Sequence, residues 1–271
     1  MKLGYEHTSN RQPKFPNGAS AACTISLDFD HLTKSSESTE KRWLPLASEQ
    51  RLAQNRIGTK SLLGLSQKYE IPLAWAICGA TAEADFQSYE SILRCGVKQE
   101  IGIHTYSHLD VSSCSKDELM FEIEKCLKLI SPKNKPRTFI FPWNRQGHFE
   151  TISELGFLTY RGQQRYIRRP KIDNDGDLVN ISPVYYLDLK SLGTSKLICK
   201  YIDLCVSAKS VFHLWSHPWS IVENDSANKM SETTLEPVFK YLNELEKSDK
   251  ICIATMGDLA ENLIRSQRAK P

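Results

Sequence analysis

No stretch of the 271-residue sequence approaches the roughly 18 consecutive apolar residues that a membrane-spanning helix needs, so no membrane span is expected. The first 20 residues, MKLGYEHTSNRQPKFPNGAS, lack the apolar centre of a secretory signal, which points to a cytoplasmic protein. Blocks of one charge are also missing. The net charge of +3 and the isoelectric point near 8.3 come from lysines and arginines spread along the chain, and nucleic acid is therefore not an expected partner. The eight cysteines include no CxxC pair, and Cys23, Cys78, Cys199, Cys205 and Cys252 lie inside apolar runs. They read as small buried hydrophobes suited to a reducing compartment rather than as disulfide partners. Nothing in the sequence specifies an oligomeric state.

What is present is globular in composition, 40% hydrophobic against 25% charged, and its length suits one sizeable domain. Residues 1–20 read as a flexible arm, with a single domain over 21–271. Strands are expected over 21–30, 73–78, 97–103, 137–142, 157–160, 211–215 and 251–256. Helices are expected over 49–69, 82–95, 115–130, 148–155, 195–207, 231–246 and 258–265. Leu119, Ile123, Leu127 and Ile130 recur at helical spacing, and Ser115 with Glu118 three residues on forms a capping box before them. Strands alternating with helices imply a parallel sheet flanked by helices, either closed as a barrel or open and doubly wound. In both, the loops after the carboxyl ends of the strands build the site. Residues 31–48 are longer than a βα loop needs: a surface insertion, or a lid beside the site with Trp43 available for stacking. Residues 171–180, KIDNDGDLVN, read as a surface turn, since the distal glutamate of a calcium loop is missing.

Two stretches carry chemistry. In EIGIHTYSHLD, His104 and His108 stand four apart; on one helical turn they would share a face and reach a single metal ion, and otherwise they are half-buried histidines at a strand end. In TISLDFDH, Asp28 and Asp30 end an apolar run, and residues two apart in a strand point the same way. Two carboxylates with two histidines suit a hydrolytic metal site.

SLDFD, EIGIHTYSH, FIFPW (residues 139–143) and LWSHP (residues 214–218), in that order, resemble the motifs of the NodB-type polysaccharide deacetylases, carbohydrate esterase family 4. SLLGLSQKYEIPLAWAICG and ELGFLTYRG resemble intervening segments of the same family, so the resemblance covers residues from about 21 to the C-terminal TMGDLAENL. It implies a distorted (β/α)7 barrel of the polysaccharide deacetylase type. The activity implied is metal-dependent removal of an N-acetyl or similar acyl group from a sugar, expected in the cytoplasm on a precursor of a surface glycan.

By this resemblance Asp30, His104 and His108 hold a divalent metal, with zinc favoured by nitrogen and oxygen ligands around an open position. Asp28 becomes the general base and His217 the general acid. Phe29 separates two aspartates that are commonly adjacent in the family; of the pair, Asp30 lies nearer the strand's end and reaches farther toward the histidines. Phe141 stands where the family has an arginine, so Arg145 or Arg161 is expected to hold the base ionised. The family's oxyanion donor, the amide after the motif proline, falls on Trp143, whose side chain is either a substrate contact or a buried structural one. Trp143, Arg145 and Arg161 are the substrate-side candidates. His31 adjoins Asp30 and faces away from it, His213 reads as a satisfied core histidine, and the family's fourth motif has no clear equivalent. A hydrolase of non-sugar amides, or a catalytically inactive carbohydrate-binding member of the fold, are the alternatives.

Overall fold

The computed structural model describes residues 15–30, 49–130, 135–163, 171–173, 178–187, 194–222 and 231–268. The segment 31–48 with His31 and Trp43, read as an insertion or a lid, most of the N-terminal arm and the centre of the acidic turn, residues 174–177, lie outside them.

β1 (Ala22–Phe29) is buried along its whole length, as a strand covered on both faces must be. Its residues divide by parity. Cys23, Ile25, Leu27 and Phe29 join the larger apolar cluster under the helices, whereas Ala22 joins a second, smaller cluster on the opposite face, shared with Ala74, Ala76, Ile140, Val179 and Val211. Thr24, Ser26 and Asp28 follow Ala22 on that inner face, all buried.

β1 is an interior strand of the sheet, paired along both edges. Along one edge it pairs in parallel with β9 (Val211–Ser216). Along the other it pairs with β2 (Leu73–Ile77) toward its end and with the two-residue β10 (Cys252–Ile253) at its start. Outward from β2 follow β3 (Gln99–Ile103), β4 (Thr138–Phe139), β5 (Thr159–Tyr160), β7 (Leu178–Asn180) and β6 (Lys171–Asp173); beyond β9 lies β8 (Tyr185–Leu187). Among the described strands only β6 runs antiparallel, to β7. The outcome is a curved, half-barrel sheet of parallel strands with helices outside, the distorted (β/α) barrel expected.

The helices are α1 (Glu49–Tyr69), α2 (Gly79–Ala84), α3 (Phe86–Leu93), α4 (Lys116–Ile130), α5 (Phe149–Glu154), α6 (Ser195–Ser207), α7 (Glu236–Lys247) and α8 (Met256–Arg268). The capping box of α4 forms: the Glu118 amide donates to Ser115 Oγ at 3.2 Å and the Ser115 amide to Glu118 Oε2 at 2.8 Å.

Several expectations need correction. The single helix over 82–95 is two, divided at Asp85, whose fully buried carboxylate accepts from Asn55 Nδ2 (3.2 Å) and Arg56 Nε (3.0 Å) of α1. That commitment draws residue 85 to φ −128°. The surface turn over 171–180 is the pair β6 and β7, with Leu178 and Val179 buried. β8 was not expected. α7 is preceded by a wide helical turn over Ser231–Leu235, and α8 begins at Met256. The arm is anchored at its end, where Phe15 and Ala19 enter the smaller cluster. All eight cysteines are free; six are buried, while Cys95 and Cys199 are partly so.

α1 meets the loop after β9 backbone to backbone. A Cβ on Gly58 would lie 1.9 Å from the Pro218 carbonyl oxygen, whereas a Cβ on exposed Gly64 of the same helix meets nothing within 4 Å. Gly58→Ala is therefore expected to lower unfolding stability by about 1–3 kcal/mol. Gly64→Ala should raise it by up to about 1 kcal/mol, since alanine is the better helix former. Denaturant unfolding of both variants checks this; equal behaviour would mean that the helix does not rest on Pro218.

Candidate active site

The candidate residues converge at the carboxyl ends of β1, β3, β4, β5 and β9. Asp30 directly follows β1. His108 Nε2 lies 3.2 Å from Asp30 Oδ2, and His104 Nε2 lies 3.7 Å from it. His217, one residue past β9, places Nε2 3.6 Å from Asp30 Oδ2 and 3.9 Å from Asp28 Oδ2.

The histidine pair is not on a helix, contrary to the helical-turn reading. Residues 104–110 form a loop in which Thr105 (φ 56°) and His108 (φ 58°) take the left-handed conformation. For a β-branched residue such as Thr105 this backbone is strained, at about 1–3 kcal/mol. A dense set of bonds offsets the strain. The Gly79 and Ala80 amides, at the start of α2, donate to the Thr105 and Tyr106 carbonyls (3.1 and 2.8 Å). Buried Glu122 of α4 accepts from the Ser107 amide (2.6 Å) and hydroxyl (2.9 Å), and Thr105 Oγ1 accepts from the Leu109 amide (2.9 Å).

The residues fit a metal ion. His104 Nδ1 donates to the Ile140 carbonyl at 2.8 Å, which leaves Nε2 as the unprotonated nitrogen. That Nε2 is buried without a hydrogen-bond partner among the described residues and faces Asp30. Asp30, His104 and His108 offer one ligand atom each, all within 4.8 Å of one another. Distances of 3.2 and 3.7 Å between ligand atoms bracket the edge of about 3.4 Å of a tetrahedron with metal bonds near 2.1 Å. Burial lowers the His108 pKa and favours the neutral ring that a ligand must be. Burial by itself would raise the Asp30 pKa, but His217 and the two motif histidines hold it well below the ordinary value.

Asp28 has a different partner. Arg161, in the loop after β5 and 1% exposed, grips it through both oxygens, Nη1 to Oδ1 at 2.7 Å and Nη2 to Oδ2 at 2.5 Å. Burial works against ionisation of Asp28, yet the guanidinium prevails and its pKa lies below the ordinary value. Arg161 thus lies beneath the carboxylate rather than on the substrate side. Arg145 does not share that place: largely exposed, it pairs with Asp110 at 2.5 Å. Trp143 is 47% exposed, so it is not a buried structural residue, and its ring lies 5.0 Å edge-on from that of His108. Its backbone is left-handed (φ 59°), as is that of Asn144 (φ 55°), in the tight turn Pro142–Asn144.

Sequence reasoning missed several residues that complete the site. Trp219 Nε1 donates to Asp30 Oδ1 at 3.2 Å, and its ring stacks on His217 at 4.6 Å. Arg51 lies on the Trp219 ring at 3.8 Å. Tyr186 Oη is 3.3 Å from His217 Nδ1. The spacing in LWSHPWS was a signal for Trp219; for Arg51 and Tyr186, on distant elements, there was none.

Residues 53–148 match the family model described as Polysaccharide deacetylase. No curated protein sequence matches the chain. Among solved structures, one from Pseudomonas aeruginosa PAO1 described as a polysaccharide deacetylase is 16% identical. It superposes with a TM-score of 0.74, covering 100% of this chain and 99% of that one. One from Mycobacterium smegmatis, also described as a polysaccharide deacetylase, is 18% identical with 96% of each chain covered and a TM-score of 0.73. The Puue allantoinase is 13% identical, with 100% and 99% covered and a TM-score of 0.71. With the family model spanning the histidine motif over residues 53–148 and the fold shared across the chain, the resemblance read from the motifs is borne out: that stretch matches the polysaccharide deacetylase family, and the whole chain has the fold of solved polysaccharide deacetylases.

Proposed function

We propose that the chain is a metal-dependent hydrolase that removes an N-acetyl or similar acyl group from a sugar. The observation that carries this reading is the division of partners between two carboxylates two residues apart. Asp30 faces three imidazoles, those of His104, His108 and His217, and the His104 Nε2 is buried without a hydrogen-bond partner among the described residues, while Asp28 is clamped by a buried guanidinium. Such a division separates a metal ligand from a base.

Asp30, His104 and His108 would hold the ion, zinc by the chemistry of its nitrogen and oxygen donors. When bound, the ion supplies Lewis acidity toward the acyl oxygen and makes water more acidic. The remaining steps belong to the chain. Asp28, kept ionised by Arg161, accepts the proton of the attacking water. The Trp143 amide donates to the developing oxyanion. His217, close to both carboxylates and against Tyr186, returns a proton to the leaving nitrogen. Exposed Trp143 offers a face on which a sugar ring stacks. Eight free thiols support a reducing, cytoplasmic setting and hence a glycan precursor as substrate. Among the described residues no helix is long and apolar enough to cross a membrane.

A second reading, hydrolysis of a non-sugar amide, has one observation in its favour: a protein titled as an allantoinase superposes over the whole chain. An acetate-release screen over N-acetyl sugars, nucleotide sugars and lipid-linked sugars, run beside cyclic and open-chain amides, separates the two. The complete set of Asp28, Asp30, His104, His108 and His217 speaks for turnover over a role in binding alone.

The purified protein is expected to contain about one divalent ion, which His104→Ala or His108→Ala should lose, because each removes one of three protein ligands. Elemental analysis decides this, and full occupancy in both variants would sink the assignment.

Asp28→Asn and Asp30→Asn are expected to fail differently. The first should keep metal and substrate affinity while kcat falls about 10²- to 10⁴-fold. The second should lose metal and recover partly in excess zinc. Opposite behaviour would reverse the two roles, and full activity in both would remove the site.

A further inference from the structure

Behind the Arg161–Asp28 pair, on the inner face of β1 and β9, stands a polar chain that no motif indicated. Each terminal nitrogen of Arg161 has two acceptors: Nη1 meets Asp28 Oδ1 (2.7 Å) and Ser26 Oγ (3.3 Å), and Nη2 meets Asp28 Oδ2 (2.5 Å) and Asn144 Oδ1 (3.4 Å). Ser26 Oγ is in turn 2.8 Å from Nε2 of His213, which is fully buried, and His213 Nδ1 is 2.9 Å from the Ile181 carbonyl oxygen. The Arg161 guanidinium also lies over the Trp215 ring at 4.0 Å.

The direction of every bond in this chain follows from its fixed end. A carbonyl oxygen only accepts, so His213 Nδ1 carries a proton. In a neutral imidazole Nε2 is then the acceptor, and the Ser26 hydroxyl must donate to it. With its proton committed to His213, Ser26 presents a lone pair to Arg161 Nη1. Burial, and Arg161 nearby, push the His213 pKa down to about 3, in keeping with a neutral ring.

We propose that His213 and Ser26 are positioning residues for the reaction: the neutral Nδ1–H tautomer of His213 orients the Ser26 hydroxyl, which fixes the Arg161 guanidinium so that it holds Asp28 in register as the base. This rests on the reading of Asp28 as the base given above. It gives His213 a task beyond satisfying its own polar atoms in the core. The chain reaches the chemistry only through Arg161, since neither Ser26 nor His213 touches the carboxylates that face the substrate.

The test uses the full-length, metal-loaded protein. In the wild type, nitrogen-15 spectra of the histidine rings at neutral pH should show His213 protonated at Nδ1 alone, and the Arg161 guanidinium should show hindered rotation. Ser26→Ala and His213→Leu should free that rotation and lower kcat about tenfold, with KM within about twofold and metal content unchanged. His213→Gln, which supplies both a donor and an acceptor without a charge, should restore kcat to within about threefold. A proton on His213 Nε2 would overturn the proposal, and so would rotation of Arg161 that stays hindered in Ser26→Ala. Variants that lose thermal stability yet keep the wild-type kcat per folded, metal-loaded molecule would also overturn it, leaving a structural role only. If the wild type hydrolyses no acylated sugar or amide, the reading of Asp28 as base fails separately, while the tautomer and the Arg161 rotation still decide whether the chain exists.

Discussion

The buried ion pair between Arg161 and Asp28 is the interaction on which the rest of the site depends. A carboxylate at the inner end of a fully buried strand is costly unless its charge is matched, and removing one member of such a pair typically costs about 3–5 kcal/mol. Here both oxygens are met by one guanidinium, which is itself supported by Ser26, Asn144 and the Trp215 ring. The match requires the inner faces of β1 and β9 to be polar where a barrel interior is ordinarily aliphatic. Ser26, Asp28 and His213 occupy positions that the smaller apolar cluster would otherwise fill. With Asp28 engaged in this way, Asp30 is the carboxylate that faces His104 and His108.

The second constraint is backbone strain. Thr105, His108, Trp143, Asn144 and His148 all hold positive φ within the loops that follow β3 and β4. In the loop after β3 the cost is met by neighbours fixed by regular structure: the amides at the start of α2, and Glu122 on α4. A Cβ on Gly79 would come within 2.5 Å of the Tyr106 ring, so α2 can approach the histidine loop this closely only with glycine there. Strained backbone held by rigid elements keeps the two imidazoles close to Asp30, and for the proposed ion this preorganisation would lower the cost of binding.

Much of this was legible in the sequence, for reasons that can be named. α1 and α6 coincide with their expected spans, because apolar spacing acts locally. The aspartates and histidines announced themselves at the ends of apolar runs. The partner of Asp28 was harder to read. Phe141 occupies the familiar place of an arginine, and Arg145, only four residues away, was as good a candidate as Arg161 until tertiary structure sent it to Asp110. β8 and the pairing of β6 with β7 escaped because strands of three residues carry too little periodicity to register. The break at Asp85 escaped because its cause lies on α1, some 30 residues away in sequence. Ser26 and His213, 187 residues apart, meet only through the pairing of β1 with β9.

The central claim is that two neighbouring carboxylates are assigned to separate tasks by separate partners. X-ray diffraction from zinc-soaked crystals, with anomalous data collected at the zinc edge, tests it most directly. One peak is expected, within about 2.0–2.2 Å of an Asp30 oxygen and of a nitrogen from each of His104 and His108, with Asp28 still bound to Arg161 through both oxygens. A peak coordinated by Asp28, or an Asp28 that has released Arg161, would contradict the account.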